Sequence, residues 1–497
     1  MRTRADDGLA PSNGPGRVRR VPWLRAAQGA GAVAFAAATH VLAGDGVRMV
    51  HRVAAPLAYA MAIVLVLLST RASAPEAPAS AEPPWTRKEI AFLVAVFLAA
   101  LLLRVVATGR IPPALTGDEA SAGLAALDIL EGRFDNVFGV SWYSFPGFYF
   151  LVPAGSIALL GETFEALRVP SALAGAATVA GLYLLARAMW GLRTAVCASV
   201  LLATMHFHVH FSRIGLNNVW DGLLAVATLG LFWKAWTSGR RTLFVGAGLL
   251  LGASQYFYAS GRLLPILLAS WLVLLLVFDR RLPPGRLADL SAMGLTTLVV
   301  LLPLGLFFFG HPDEYAAPMN RVTILGPWLE ETARTTGRPA WVVLLGNLRD
   351  AATGFSTGPL RHWYRPGTPM LLPPAAFLFH AGLLLAFLRV RDPRPRLVLL
   401  WLAGVVAVGG LTESAPASQR YVVGAPAAAL LAAWSLATAT EVVERRRREL
   451  RPAFLGGAAL LLVACAGLDL DLYFRRYVHS GEALDDNTEV AMALAGR

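Results

Sequence analysis

Residues 262–281 read RLLPILLASWLVLLLVFDRR. An arginine opens the stretch, an Asp-Arg-Arg cluster closes it, and the residues between carry no charge. As a helix rising ~1.5 Å per residue, such a run covers most of a ~30 Å hydrocarbon core. Similar windows recur along the chain near 26–44, 53–70, 89–107, 169–190, 194–212, 218–236, 242–258, 288–309, 373–389, 397–411, 421–440 and 453–470. With 262–278 they make about 13 spans. The chain is 56% hydrophobic and 15% charged over 497 residues, with a mean hydropathy of +0.55. A soluble domain of that length needs more polar surface, so the fold class is an all-α polytopic membrane protein.

The net charge of +12 does not point to nucleic acid. Its arginines fall in short clusters between apolar runs: RVRR at 17–20, GRR at 239–241, DRR at 279–281, RVRDPRPR at 389–396 and ERRRREL at 444–450. Basic loops at alternate positions mark the cytoplasmic side. Cys197 and Cys465 lie in apolar segments, with neither a disulfide framework nor metal-ligand spacing. Residues 1–25 form a basic tail before the first apolar run, and no small-residue cleavage site follows, so a retained anchor is expected.

The run 146–160, PGFYFLVPAGSIALL, holds two prolines and is short for a crossing. Read as interfacial, it puts every basic cluster inside. Loops 108–145, 212–221, 258–262, 311–372 and 412–421 then fall outside; a crossing at 146–160 would invert everything downstream. Simple arginine clusters thus gather on one face, and mixed acids, arginines, amides and aromatics on the other. The outer face is expected to be the working face.

Four constellations occupy that face. In LTGDEASAGL (115–124), Thr116 can cap a helix whose first turn holds Asp118 and Glu119, carboxylates that also complement the helix dipole. Adjacent helical residues point about 100° apart, so the two carboxylates cannot meet at one atom. One can act as a base while the other orients a neighbour or holds a metal. In HFHVHFSRIGLNNVWD (206–221), His206 and His210 share a face without an acidic partner at ligand spacing, and Arg213, Asn217 and Asp221 recur every four residues as a polar stripe. Arg262, Arg321 and Arg420 stand close to outer span ends, either snorkelling or gripping phosphate with their planar forks. Aromatics cluster at VSWYSFPGFYF (140–150) and RHWYRPG (361–367), as an interfacial belt or as stacking platforms for sugar rings.

The acidic pair after a span, FSRIGLNN (211–218), YASGRLLP (258–265), HPDEY with RV at 321–322, and RPGTPMLLPP (365–374) together resemble the bacterial family-39 glycosyltransferases over roughly residues 90–440. These are polytopic GT-C enzymes related to the protein O-mannosyltransferases and to the aminoarabinose transferase of lipid A. The resemblance implies a GT-C-type bundle with extracytoplasmic loops in the bacterial cytoplasmic membrane. It also implies inverting transfer of a sugar from a polyprenyl-phosphate donor to a glycan, lipid or protein acceptor at the outer face.

On that reading Asp118 is the base with Glu119 beside it, and Arg262, Arg321, Arg420 and Arg213 bind donor phosphate. Trp142, Tyr143, Asn217, Asp221, Tyr258 and His362 contact sugar or acceptor. No cofactor is required by these motifs, although the acidic pair leaves room for a divalent metal. The expected organisation is a cytoplasmic tail (1–25), two extra spans (26–88), a core (89–440) with outer loops 108–168 and 311–372, a basic loop and last span (441–470), and an outer tail (471–497). The extra spans and the short tail depart from the family pattern, the latter leaving acceptor selection to the loops. So do Ser144 and Phe145 before Pro146, where lipid A enzymes carry a lysine. The competing reading is a transporter or flippase of an amphiphilic substrate; against it stand the lack of an internal repeat and the crowding of polar groups at the outer ends.

Overall fold

The computed structural model describes residues 22–44, 50–71, 84–134, 136–280 and 282–480. The 17–20 cluster, Asp135, Arg281 and the tail beyond residue 480 lie outside the described residues. The first helices are α1 (Pro22–Ala43), α2 (Ala55–Ser69), α3 (Arg87–Val105), α4 (Gly117–Leu130), α5 (Leu151–Leu160) and α6 (Phe164–Trp190). There follow α7 (Leu192–Thr204), α8 (His206–Phe211), α9 (Asn218–Ser238), α10 (Arg241–Ala253), α11 (Leu263–Asp279) and α12 (Arg286–Gly310). Beyond them lie α13 (Pro312–Asn320), α14 (Pro327–Thr336), α15 (Ala340–Thr353), α16 (Pro373–Leu388), α17 (Pro393–Gly410), α18 (Ala425–Arg446) and α19 (Arg451–Asp471).

Every apolar window of the sequence falls on a helix. By length and composition alone, 7 helical stretches among the described residues can cross a membrane, and α7 and α16 are shorter apolar helices. The 194–212 window is broken. Met205 leaves helical geometry (φ −51°, ψ 116°), and the backbone N–H of His206 donates to Asp469 Oδ1 at 3.0 Å, so a carboxylate from α19 caps the restart.

α6 runs between α3, α7 and α9, while α1 and α2 pack on each other and on α12. α18 is buried along most of its length because its alanines let neighbouring backbones approach closely. Gly382 of α16 is one such approach: a β-carbon there would collide with the Leu431 carbonyl.

The two ends of the bundle differ in chemistry. At one end the basic clusters are tied down. Arg187 pairs with Glu89, Glu444 with Arg193 (2.5 Å) and Arg451 (3.1 Å), Arg241 with Asp289 (3.1 Å), and Arg394 donates to the Met189 carbonyl (3.2 Å). α5 belongs to a third short apolar stretch, Gly147–Leu160, and Ser156 donates to the Ala166 carbonyl at 2.6 Å near the start of α6.

Candidate active site

Thr116 caps α4 as its sequence suggests. Its hydroxyl accepts from the Glu119 backbone N–H and the Glu119 carboxylate accepts from the Thr116 N–H, both at 3.2 Å, a complete capping box. That contact turns Glu119 inward. The carboxylate is fully buried, accepts from Arg168 Nε at 2.8 Å and Nη2 at 3.1 Å, and takes the Gly215 N–H at 2.7 Å. Arg168, equally buried, spends its other donors on the carbonyls of Thr108, Pro112 and Ala114. Asp118 lies about 100° around the helix from Glu119 and is half-buried at the wall of a cavity of about 710 Å³. The expectation that both acids serve catalysis is thereby corrected. Glu119 faces away from the cavity and clamps α4 to α6 and to the 212–217 turn.

The cavity draws its lining from all five loops expected on the outer face. It gathers Asp118, Trp142, Tyr143, Asn217, Tyr258, Arg262, Arg321, His362 and Arg420. Arg262 donates to the Tyr315 carbonyl at 2.8 Å and lies 4.0 Å from the Tyr315 ring centroid. Arg321 stands 4.4 Å over the Tyr143 ring and 3.4 Å from the Ser144 hydroxyl. Arg420 donates to the Glu413 carbonyl. Each guanidinium is thus held on one side by a carbonyl, hydroxyl or ring. Charges fixed in this way need little reorganisation to meet an anion.

An aromatic wall faces them. Trp142, Tyr143, Phe145 and Tyr258 form a chain of ring contacts with centroids 5.3–5.9 Å apart. Backbone strain concentrates here: Tyr143 (φ 57°), Ser144 (φ 58°) and His362 (φ 73°) all occupy the left-handed region. Non-glycine residues pay an energy to sit there, and such positions collect at functional sites. Burial, then the Arg420 guanidinium, holds the His362 imidazole below its ordinary pKa; Glu413 opposes and Arg365 adds to the effect. Gln419 Nε2 lies 3.2 Å from His362 Nδ1.

Two further expected residues stand outside the cavity. Arg213 and Asn217 precede α9, so the expected stripe on one helix does not form. Arg213 is buried and donates to the Leu103, Val106 and Ile111 carbonyls, closing the open end of α3. Asp221 is buried too, accepting from the Tyr258 N–H (3.2 Å) and the Ser260 hydroxyl (2.6 Å), and so fixes the turn that presents Arg262. Gly261 is needed in that turn, since a β-carbon would strike the Ser254 carbonyl. Asn217 lines the cavity while donating to the Phe257 carbonyl at 3.0 Å. His206 and His210 both contact Tyr364 in the interior, His206 by a 2.8 Å hydrogen bond and His210 by stacking at 4.2 Å.

Trp363 of the RHWYRPG cluster lines the cavity too, as do Tyr315, Glu413 and Gln419, which the sequence did not single out. Glu413 sits in the 412–421 loop, TESAPASQRY, where its charge is a signal legible in the sequence. Asp118, Glu413 and His362 share the cavity, yet no three His, Cys, Asp or Glu side chains among the described residues come together as a metal would require.

Residues 146–306 match the family model described as dolichyl-phosphate-mannose-protein mannosyltransferase. Among solved structures, the oligosaccharyltransferase AglB of Archaeoglobus fulgidus, in complex with an inhibitory peptide and a dolichol-phosphate, aligns with a TM-score of 0.54 at 15% identity. The alignment covers 80% of this chain and 57% of that one. The same archaeal enzyme in complex with Zn and sulfate aligns with a TM-score of 0.53 at 16% identity, covering 81% and 55%. ArnT of Cupriavidus metallidurans, bound to undecaprenyl phosphate, aligns at 0.47 and 14% identity, covering 79% and 72%. A search of curated proteins finds no match. The likeness to AglB is one of fold, and this chain spans a little over half the length of the archaeal protein. The GT-C architecture expected from the sequence is the architecture found.

Proposed function

We propose that the protein is a membrane glycosyltransferase that moves a sugar from a polyprenyl-phosphate donor to an acceptor hydroxyl at the extracytoplasmic face. One observation carries the reading: loops separated by hundreds of residues converge on a single cavity holding a half-buried carboxylate, three anchored arginines and an aromatic wall. The matched family model and the dolichol-phosphate in the AglB complex support the donor class.

The chemistry follows from the groups. The acceptor oxygen attacks the anomeric carbon, the bond from that carbon to the phosphate oxygen breaks, and Asp118 takes the hydroxyl proton. A single displacement inverts the anomeric centre. The departing polyprenyl phosphate gains negative charge, which Arg262, Arg321 and Arg420 stabilise in a site partly shielded from water. Trp142, Tyr143 and Tyr258 offer ring faces for the sugar, and Asn217 and His362 offer polar edges.

Asp118→Asn keeps shape and most hydrogen bonding but removes the base. Transfer in detergent is expected to fall by about 10²–10⁴-fold while donor binding, measured separately, persists. Near-parental transfer by a folded Asp118→Asn protein would remove Asp118 as the base, whereas no transfer by the parent protein would favour the transport reading.

A further inference from the structure

The strap that brings His362 and Trp363 to the main cavity has a second side. Arg361 and Arg365 of the strap, with Leu472, Arg476, Tyr477 and Ser480 of the segment after α19, line a separate cavity of about 360 Å³. Among the described residues no carboxylate lines it, although Asp471 pairs with Arg476 beside it. The left-handed turn at His362 divides the strap's residues between the two cavities.

This gap is built rather than left between loops. The Arg361 N–H donates to the Pro416 carbonyl (3.0 Å), its carbonyl accepts from the Ser418 N–H (2.9 Å), and its Nη1 donates to the Ala415 carbonyl (3.2 Å). Arg476 Nε donates to Asp471 at 2.7 Å, one turn back. Buried Tyr364 joins the two walls, meeting Tyr477 edge-on at 4.6 Å. The Asp471 carboxylate takes one edge of Arg476, through Nε and Nη2, but Arg361, Arg365 and Arg476 together outnumber it, so the lining suits a phosphate oxyanion.

We propose that this second cavity binds a phosphate-type oxyanion carried by the acceptor, held by Arg361 and Arg476 on the far side of the strap from the reacting hydroxyl. The assignment to an acceptor rests on the transferase reading; the anion site does not. Purified full-length protein in detergent, titrated with methyl phosphate and followed by phosphorus NMR, reports occupancy directly. Arg361→Gln together with Arg476→Gln is expected to weaken one class of sites by at least about ten-fold, while Arg262→Ala weakens only the other.

Arg476 is largely exposed, so Arg476→Glu is a second variant that spares the fold and should abolish the same class. In transfer assays the double variant should raise KM for a phosphorylated acceptor and leave donor KM unchanged. Unaltered phosphate binding in both variants overturns the proposal. So does binding seen only with phosphatidylglycerol vesicles, which would make this a lipid headgroup site. Phosphate binding that emerges only after deletion of residues 481–497 would assign the cavity to the acidic tail instead. If phosphate binding depends on these arginines but no sugar transfer is found, the functional reading fails and the anion site stands.

Discussion

Arg262 is held by one carbonyl and two rings, those of Tyr315 and Phe308, and lines the cavity. A lysine there keeps the charge but loses bidentate geometry. Arg262→Lys is therefore expected to weaken donor binding by several-fold and Arg262→Ala by more, both inserting normally into the membrane. Parental donor affinity in both would reduce Arg262 to an interfacial anchor. His362 adds a pH dependence. Its folded pKa is lowered, by burial first and Arg420 second, so it is neutral at pH 7 and gains a proton only below its ordinary value near 6.5. A bound phosphodiester, whose own charge is constant over this range, favours the protonated ring. Donor affinity should then rise as pH falls from 7 to 5, and His362→Asn, which tolerates the left-handed backbone, should flatten the profile. The empty protein behaves oppositely: acidification protonates the unfolded His first, so its stability declines through the same window. A flat parental profile would remove His362 from the anion's surroundings.

The ion pair between α4 and α6 acts on elements rather than on substrate. Glu119→Gln leaves the fully buried Arg168 uncompensated, a change worth about 3–5 kcal/mol where a buried pair loses one partner. A marked fall in melting temperature is expected for Glu119→Gln and almost none for Asp118→Asn; equal melting of the two would contradict the clamp. This contrast also marks what the sequence could tell. Periodicity and hydropathy placed the helices because both signals are local. Whether an outer residue faces the cavity is not local. Glu119 is one residue from Asp118, and only the capping geometry at Thr116 decides which of them turns inward. Arg213 and Asp221 had the charge and spacing of site residues, yet both serve unpaired backbone groups, one at the end of α3 and the other in the turn before Arg262. Four-residue spacing implied a shared face only on the assumption of an unbroken helix, and the chain between α8 and α9 is not helical.

For the molecule as a whole, the chemistry of the two ends fixes an expected orientation. Cysteines introduced at Leu130 and Ala340 should react with a membrane-impermeant maleimide on intact cells, because both lie in the loops at the cavity end, opposite the basic clusters. Reaction only after permeabilisation would invert the topology and remove access of an external acceptor. The convergence of the loops has a consequence for biogenesis. Asp118 is synthesised some 300 residues before Arg420, and the cavity wall is incomplete until the segment Ser418–Gly424 reaches the membrane. A ribosome paused between residues 262 and 418 holds a nascent chain that contains Asp118 and Arg262 but lacks the last wall of the cavity. The complete cavity therefore arrives late in synthesis, with its last wall.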